Sequence, residues 1–230
     1  VSTAERTDIN VLSPTERSEY FNAHRYKTPG HEGWKQLATP GAASKYLMIS
    51  ADCHVNEPPN LWVERIEEKY RHRLPRIEVD ADGVKWSIVE GYHPVKIRDL
   101  KMEGEDQERA RVGKCDPAER LKDHARDGVD AEIIFPNRGL QMWATPDPLF
   151  SQAMCRVYND WAWEIFGDHY DRMRPMGCIS TGDVPSAIAE IERIAKKGFK
   201  GLSLPCKPMW GPGSSEDLNY NLPDFDPLWA

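Results

Sequence analysis

What this chain lacks narrows its class before any motif is read. No apolar stretch approaches the length of a membrane span, and no apolar segment follows a basic start, so neither an anchor nor a secretory leader is expected. Paired cysteines are missing as well. The five present (Cys53, Cys115, Cys155, Cys178 and Cys206) are odd in number, widely spaced and without a C-x-x-C. They read as reduced thiols rather than a disulfide framework. A positive balance is missing: 30 Lys and Arg against 37 Asp and Glu leave a formal net charge of -7. That argues against a nucleic acid or another polyanion as the main partner. A soluble cytoplasmic protein acting on a small molecule is the expectation. With 40% hydrophobic residues in 230, one sizeable core, or a core plus an arm, can form.

The stretch around which the rest is organised is Leu47-Met48-Ile49-Ser50-Ala51-Asp52-Cys53-His54-Val55-Asn56-Glu57-Pro58-Pro59. An apolar run of strand length leads into an aspartate, a histidine and a glutamate. Side chains alternate along an extended backbone, so Asp52 and His54 point the same way and Cys53 the other. A carboxylate oxygen and an imidazole side by side at a strand's exit suit a divalent metal. Spacing alone fits equally an aspartate that caps a turn beside a hydrogen-bonded histidine. Glu57 follows where the strand gives way to loop. It either swings back toward the same centre or caps the next turn.

The order of elements is legible around this stretch. Residues 1–45 lack sustained periodicity but carry Tyr20, Phe21, Tyr26 and Trp34, and read as an extension laid over the main body or a partner subunit. Ser13-Pro14-Thr15-Glu16 is a capped helix start within it; His24 and His31 read as solvated. Tyr46–Asp52 is strand one, and Leu61–His72 reads as a helix. Arg76–Tyr92 alternates on both sides of Asp80-Ala81-Asp82-Gly83, the pattern of a β-hairpin. A charged loop spans Asp99–Cys115. From Pro117 the rhythm becomes βα repeats: helix Pro117–Asp127 with Leu121 and Ala125 inward, strand Ala131–Pro136, helix Asp147–Phe166, strand Arg174–Ser180, helix Asp183–Lys197 and strand Phe199–Pro205. Strands and helices alternating at this spacing specify a parallel sheet with right-handed crossovers.

Asp52-Cys53-His54-Val55-Asn56-Glu57-Pro58-Pro59-Asn60-Leu61-Trp62 resembles the opening motif of the amidohydrolase-related family, which includes aminocarboxymuconate semialdehyde decarboxylase-like enzymes. Asp127-Gly128-Val129-Asp130, Tyr158-Asn159-Asp160-Trp161, Asp171-Arg172-Met173-Arg174-Pro175 and Gly198-Phe199-Lys200-Gly201-Leu202 are similar to its later segments. The resemblance implies an α/β fold, a metal-dependent (β/α)8 TIM barrel. The sequence then holds the first four βα units in residues 46–230, with the hairpin inserted after strand one. It implies Asp52 and His54 as metal ligands, zinc first, manganese or iron next, with the remaining ligands beyond Ala230. An open half-barrel exposes strand edges and a concave face lined by Ile49, Ile133, Ile179 and Leu202. A longer chain or a partner is therefore expected to complete it, as a homo- or hetero-oligomer in the second case.

The implied activity is hydrolysis or non-oxidative decarboxylation of a small organic substrate bearing a carboxylate or amide. A two-metal, iron-containing oxygenase and a non-catalytic barrel subunit are the alternatives. Glu57 is a candidate third ligand or substrate-holding group. Lys207, past strand four, is a candidate for a carboxylated metal bridge or a substrate-facing lysine. Asn137, Arg138 and His93 are candidate substrate contacts. His124 and His169 read as structural, and Trp143, Trp161, Trp163 and Trp210 as core or pocket wall.

Overall fold

The computed structural model describes residues 48–98, 104, 107, 115–209 and 218–230. The aromatic arm with its helix start, His24, His31, Tyr46, most of the charged loop after Asp99, and Trp210 lie outside the described residues.

β1 (Ile49–Val55) runs three residues further than its apolar content predicts, because its ladder with the next parallel strand continues to Val55. The helix expected over Leu61–His72 breaks in two: α1 (Leu61–Arg65) and a 3-10 turn (Glu68–Arg73). Between them Ile66 and Glu67 are extended. That break lets Ile66 enter the core at 3% exposure and brings Tyr70 onto Phe150, ring centroids 5.2 Å apart. Tertiary packing has overridden the helical spacing.

The hairpin is a three-stranded antiparallel sheet, β2 (Arg76–Val79), β3 (Lys85–Ile88) and β4 (Val95–Lys96), in the order β2-β3-β4. Its turn is held by Asp80, whose Oδ1 accepts from the Asp82 and Val84 amides. Gly83 supplies the positive φ of 78°. Arg73 fastens this sheet to the main body. Its guanidinium bonds both Glu90 oxygens (2.9 and 2.6 Å) and Asp147 Oδ2 (2.7 Å), and Glu90 also accepts from the Thr145 hydroxyl.

The βα repeats follow. α2 (Pro117–Asp127), β5 (Ala131–Pro136) and α3 (Pro148–Phe166) lead to β6 (Met173–Pro175) and β7 (Gly177–Cys178). α4 (Val184–Lys197), β8 (Leu202–Ser203) and the short α5 (Asp226–Trp229) complete the described chain. Asp116, Asp147 and Asp183 cap α2, α3 and α4, each accepting first-turn amides ahead of a proline. In α2 Leu121 packs against the core as expected, but the buried residue is His124, not Ala125, which is exposed; the attraction is a buried carboxylate on β5, described below.

β1 pairs with β5 and β5 with β6, all parallel. β7 pairs in parallel with β8. The third strand is split at Met176 because its partners change there. The Met176 amide bonds Ile134 O on one side, and the Gly177 amide bonds Gly201 O on the other. The fourth strand contracts to two residues, since Phe199 leaves the ladder to pack on Trp163 at 5.1 Å.

One face of this sheet is packed. Val55, Ile134, Met173 and Cys178 meet Phe150, Met154, Tyr158, Trp161 and Phe166 of α3 and Ile194 of α4. Each such side chain contributes roughly 1.5–3 kcal/mol on burial. The other face is open at Ile49 (52% exposed) and Leu202 (38%), with Ile133 half-buried. Ile179 departs from this expectation and is fully enclosed; Trp143 folds over that strand end and donates its indole N–H to Ile179 O (2.9 Å).

Where β7 ends, side chains take over the ladder. Asn159 of α3 donates to Cys178 O (2.8 Å) and accepts from Cys178 N (2.7 Å). Its amide also reaches Glu190 of α4 at 2.8 Å, and Arg193 holds Glu190 from the other side. Asn159 and Glu190 are both fully buried. Asn159→Ala leaves the Cys178 amide and carbonyl unpaired in a dry interior, at about 1–3 kcal/mol for each group. Urea denaturation should show a loss of about 2 kcal/mol or more, and a loss below about 0.5 kcal/mol would contradict the network.

Candidate metal centre

The strand end that carries Asp52 and His54 is irregular. The β1–β5 register shifts between Ser50 and Cys53, a bulge of the kind that re-aims side chains. Beyond it the pairing resumes as Cys53 with Ile134, His54 with Phe135 and Val55 with Pro136. Val55 and Ile134 enter the helix-covered core. Cys53 bonds Ser50 Oγ at 3.0 Å and stands beside Glu132. It points away from the Asp52–His54 pair, as alternation requires. Asp52 and His54 stand on the opposite, open side. Their side chains are 84% and 41% exposed, and His54 Nε2 lies 3.3 Å from Asp52 Oδ1.

The imidazole is held from behind. His54 Nδ1 lies 2.8 Å from the carbonyl oxygen of Pro136, at the end of β5. A carbonyl only accepts, so Nδ1 carries the proton, and in the neutral ring Nε2 is a bare lone pair. That lone pair faces a carboxylate oxygen, an arrangement of two electron-rich atoms that suits a cation between them. An imidazole locked through its other nitrogen is also how metal-ligating histidines are oriented.

Behind the pair lies a charged cluster at the sheet–helix interface. Glu132 of β5 is 3% exposed and takes Arg120 Nε and Nη2 at 2.7 Å each. Arg120 Nη1 is 3.3 Å from His54 O, and His124 Nε2 lies 3.2 Å from Glu132 Oε1. Burial alone would raise the Glu132 carboxyl, but His124 and Arg120 outweigh it and hold it down to about 2.

Glu57 caps a turn, but not the one expected. Its carboxylate is 2% exposed and accepts three successive amides: Asn137 (3.1 Å), Arg138 (2.9 Å) and Gly139 (3.0 Å). These open the 3-10 turn Arg138–Trp143. Glu57 thus caps the turn after β5 across the sheet, not the turn after its own strand, and its oxygens are committed away from Asp52 and His54. Burial pushes its carboxyl up, and the three amides hold that rise back. Gly139 is needed for the close approach, since a Cβ there would sit 3.0 Å from Glu57 Oε1 and 2.6 Å from Pro136 Cβ.

Asn137 and Arg138 therefore stand on a fixed loop directly after Pro136, both exposed, with the Asn137 side-chain Nδ2 donating to Asn56 Oδ1. Lys207 is exposed just past β8. His93 is exposed between β3 and β4, and no described contact ties it to the Asp52–His54 pair. Among the described residues no group of three or more His, Cys, Asp or Glu stands ready to hold a metal; the centre present is a pair. Pro136, Arg120 and Glu132 went unread in the sequence. A backbone carbonyl leaves no trace there, but a charge inside Ala131-Glu132-Ile133-Ile134-Phe135 was a signal, because a buried carboxylate demands a cation.

A family model described as amidohydrolase matches residues 51–230. The chain belongs to the amidohydrolase family. No curated protein matches it. Among solved structures, an amidohydrolase of Mycobacterium avium subsp. paratuberculosis K-10 is similar at 15% identity and a TM-score of 0.64, over 80% of this chain and 55% of that one. 2,6-Dihydroxybenzoate decarboxylase from Rhizobium is 20% identical, with a TM-score of 0.48 over 80% of this chain and 45% of that one. Dihydroxybenzoic acid decarboxylase from Polaromonas sp. JS666, solved with manganese and 2-nitroresorcinol, is 18% identical, TM-score 0.48, over the same shares. The chain spans about half the length of these structures. The first of them places the parallel sheet among TIM-barrel-type α/β folds.

Two outcomes are expected from these contacts. Glu57→Gln should destabilise the protein by about 1–3 kcal/mol, since one amide acceptor becomes a donor, while metal content measured by elemental analysis stays at the wild-type level; lost metal would make Glu57 a ligand after all. For Glu132, a carboxyl depressed from 4.5 to about 2 contributes stability that is complete above pH 4.5 and is lost as pH falls toward 2. The wild-type stability curve should fall more steeply through that window than that of Glu132→Gln, and parallel curves would contradict the pairing.

Proposed function

We propose that this chain supplies the opening wall and the first two ligands of a metal-dependent amidohydrolase-family enzyme. Its substrate is a small organic molecule bearing a carboxylate or amide, processed by hydrolysis or non-oxidative decarboxylation. The observation that carries the reading is the Asp52–His54 pair: a carboxylate oxygen and an oriented imidazole nitrogen, 3.3 Å apart, on the open face at the end of parallel strands. Ligands at the C-terminal ends of such strands are the rule for barrel enzymes.

The donor set, one hard oxygen and one imidazole nitrogen, fits zinc, with manganese or iron as the alternatives. Asp52 Oδ1 and His54 Nε2 would hold the ion, which when bound supplies a Lewis acid and lowers the pKa of its water. The chain's own residues do the rest of what is visible. Pro136 O fixes the ring of His54, and Glu57 fixes the loop that presents Asn137 and Arg138. These two can bind the polar or anionic end of a substrate seated on the pair, and Lys207 stands at the exit of β8 to do the same. The exposure of Ile49 and Leu202 supports an eight-stranded barrel whose wall is completed outside these four strands, by further chain or by a partner subunit. His93 remains a weaker candidate for substrate contact.

The test is elemental analysis of the whole protein with Asp52 and His54 both changed to Ala. The wild type should carry bound divalent metal and the double variant essentially none. Full occupancy in the double variant would overturn the assignment.

A further inference from the structure

The interface between α2 and β5 contains an ion pair that packing alone does not call for. Arg120 is 13% exposed and Glu132 3%, both largely withdrawn from water. Desolvating two charges costs about as much as their attraction returns, and apolar replacements of such pairs are often neutral or stabilising. Stability is therefore a poor reason for this pair. Its geometry supplies a better one. The guanidinium spends Nε and Nη2 on Glu132 and turns Nη1 to the main-chain oxygen of His54.

That oxygen belongs to the residue whose ring must be placed. The β1–β5 register is broken just before it, between Ser50 and Cys53, so His54 is held in the ladder only by the short resumed stretch that pairs Cys53 with Ile134, His54 with Phe135 and Val55 with Pro136. Two further restraints reinforce that stretch. Pro136 O holds the ring from β5, and Arg120, anchored on Glu132 of the same strand, holds the backbone. His124, one helical turn from Arg120, reaches Glu132 Oε1, the oxygen that Arg120 Nε also bonds, at 3.2 Å.

We propose that Arg120, anchored by Glu132, is a positioning residue for the metal-binding histidine: it clamps the His54 backbone across the bulge so that Nε2 meets Asp52 at ligand separation. The assignment rests on the metal-centre reading above. Lys cannot replace Arg here, because an ammonium lacks the planar fork that reaches two carboxylate oxygens and a carbonyl at once.

The experiment uses the whole protein with Arg120→Lys and, separately, Glu132→Gln, with Arg193→Lys as a control that disturbs the Glu190 pair far from His54. Zinc affinity is measured by chelator competition, and melting temperature on the metal-free protein. Arg120→Lys and Glu132→Gln should weaken zinc binding about 10–100-fold, the range for residues that orient ligands. Arg193→Lys should lower the melting temperature with zinc affinity within about twofold of wild type. Wild-type affinity in a folded Arg120→Lys overturns the proposal, as does failure of both test variants to fold, which would make the cluster purely structural. A wild-type protein that binds no zinc, manganese or iron sinks the metal reading instead. In that case the clamp is read from the His54 imidazole NMR line, single in wild type and shifted or broadened in Arg120→Lys; an unchanged line overturns it.

Discussion

Everything proposed for this chain depends on one hydrogen bond, between His54 Nδ1 and the Pro136 carbonyl at 2.8 Å. It joins the ends of two parallel strands and decides which imidazole nitrogen is left for chemistry. Without it the ring of a half-exposed histidine would sample several rotamers, and its distance to Asp52 would be an accident. With it, the donor atom is chosen and aimed.

The neighbouring contacts protect that bond. Glu57 gathers the amides of Asn137, Arg138 and Gly139, which fixes the chain immediately after Pro136. Arg120 and Glu132 restrain the backbone of His54 from the helix side. Further along the rim, Asn159, Gln152 and Trp143 satisfy the backbone of residues 178–180 in place of a strand partner. The rim is thus stiffened by side chains wherever the ladder ends. The helices bear the packing load, and the open face is left for chemistry.

Much of this could be read from the sequence, for identifiable reasons. β5, α3 and α4 carry caps, apolar periodicity and prolines that all agree, so their bounds follow from local chemistry. Alternation pointed to the face shared by Asp52 and His54, and the two meet there at 3.3 Å despite the bulge beside Asp52. What stayed hidden depends on tertiary contacts. Ile66 breaks a helix because the core has room for it, and the third strand splits because its partners change at Met176. His124 turns inward because a carboxylate waits there. Glu57 misled most: proximity in sequence put it near the pair, whereas its oxygens answer amides eighty or more residues away. A carboxylate goes where donors are densest, and backbone donors cannot be counted from side-chain identities.

The central claim is that Asp52 and His54 are adjacent ligands of one ion, with His54 binding through Nε2. A crystal structure of the whole protein, with anomalous data collected at the absorption edge of its metal, tests this most directly. The account predicts an anomalous peak about 2.0–2.2 Å from both Asp52 Oδ1 and His54 Nε2, with Nδ1 still on the Pro136 carbonyl. A metal peak elsewhere, or one approached by Nδ1, would contradict it.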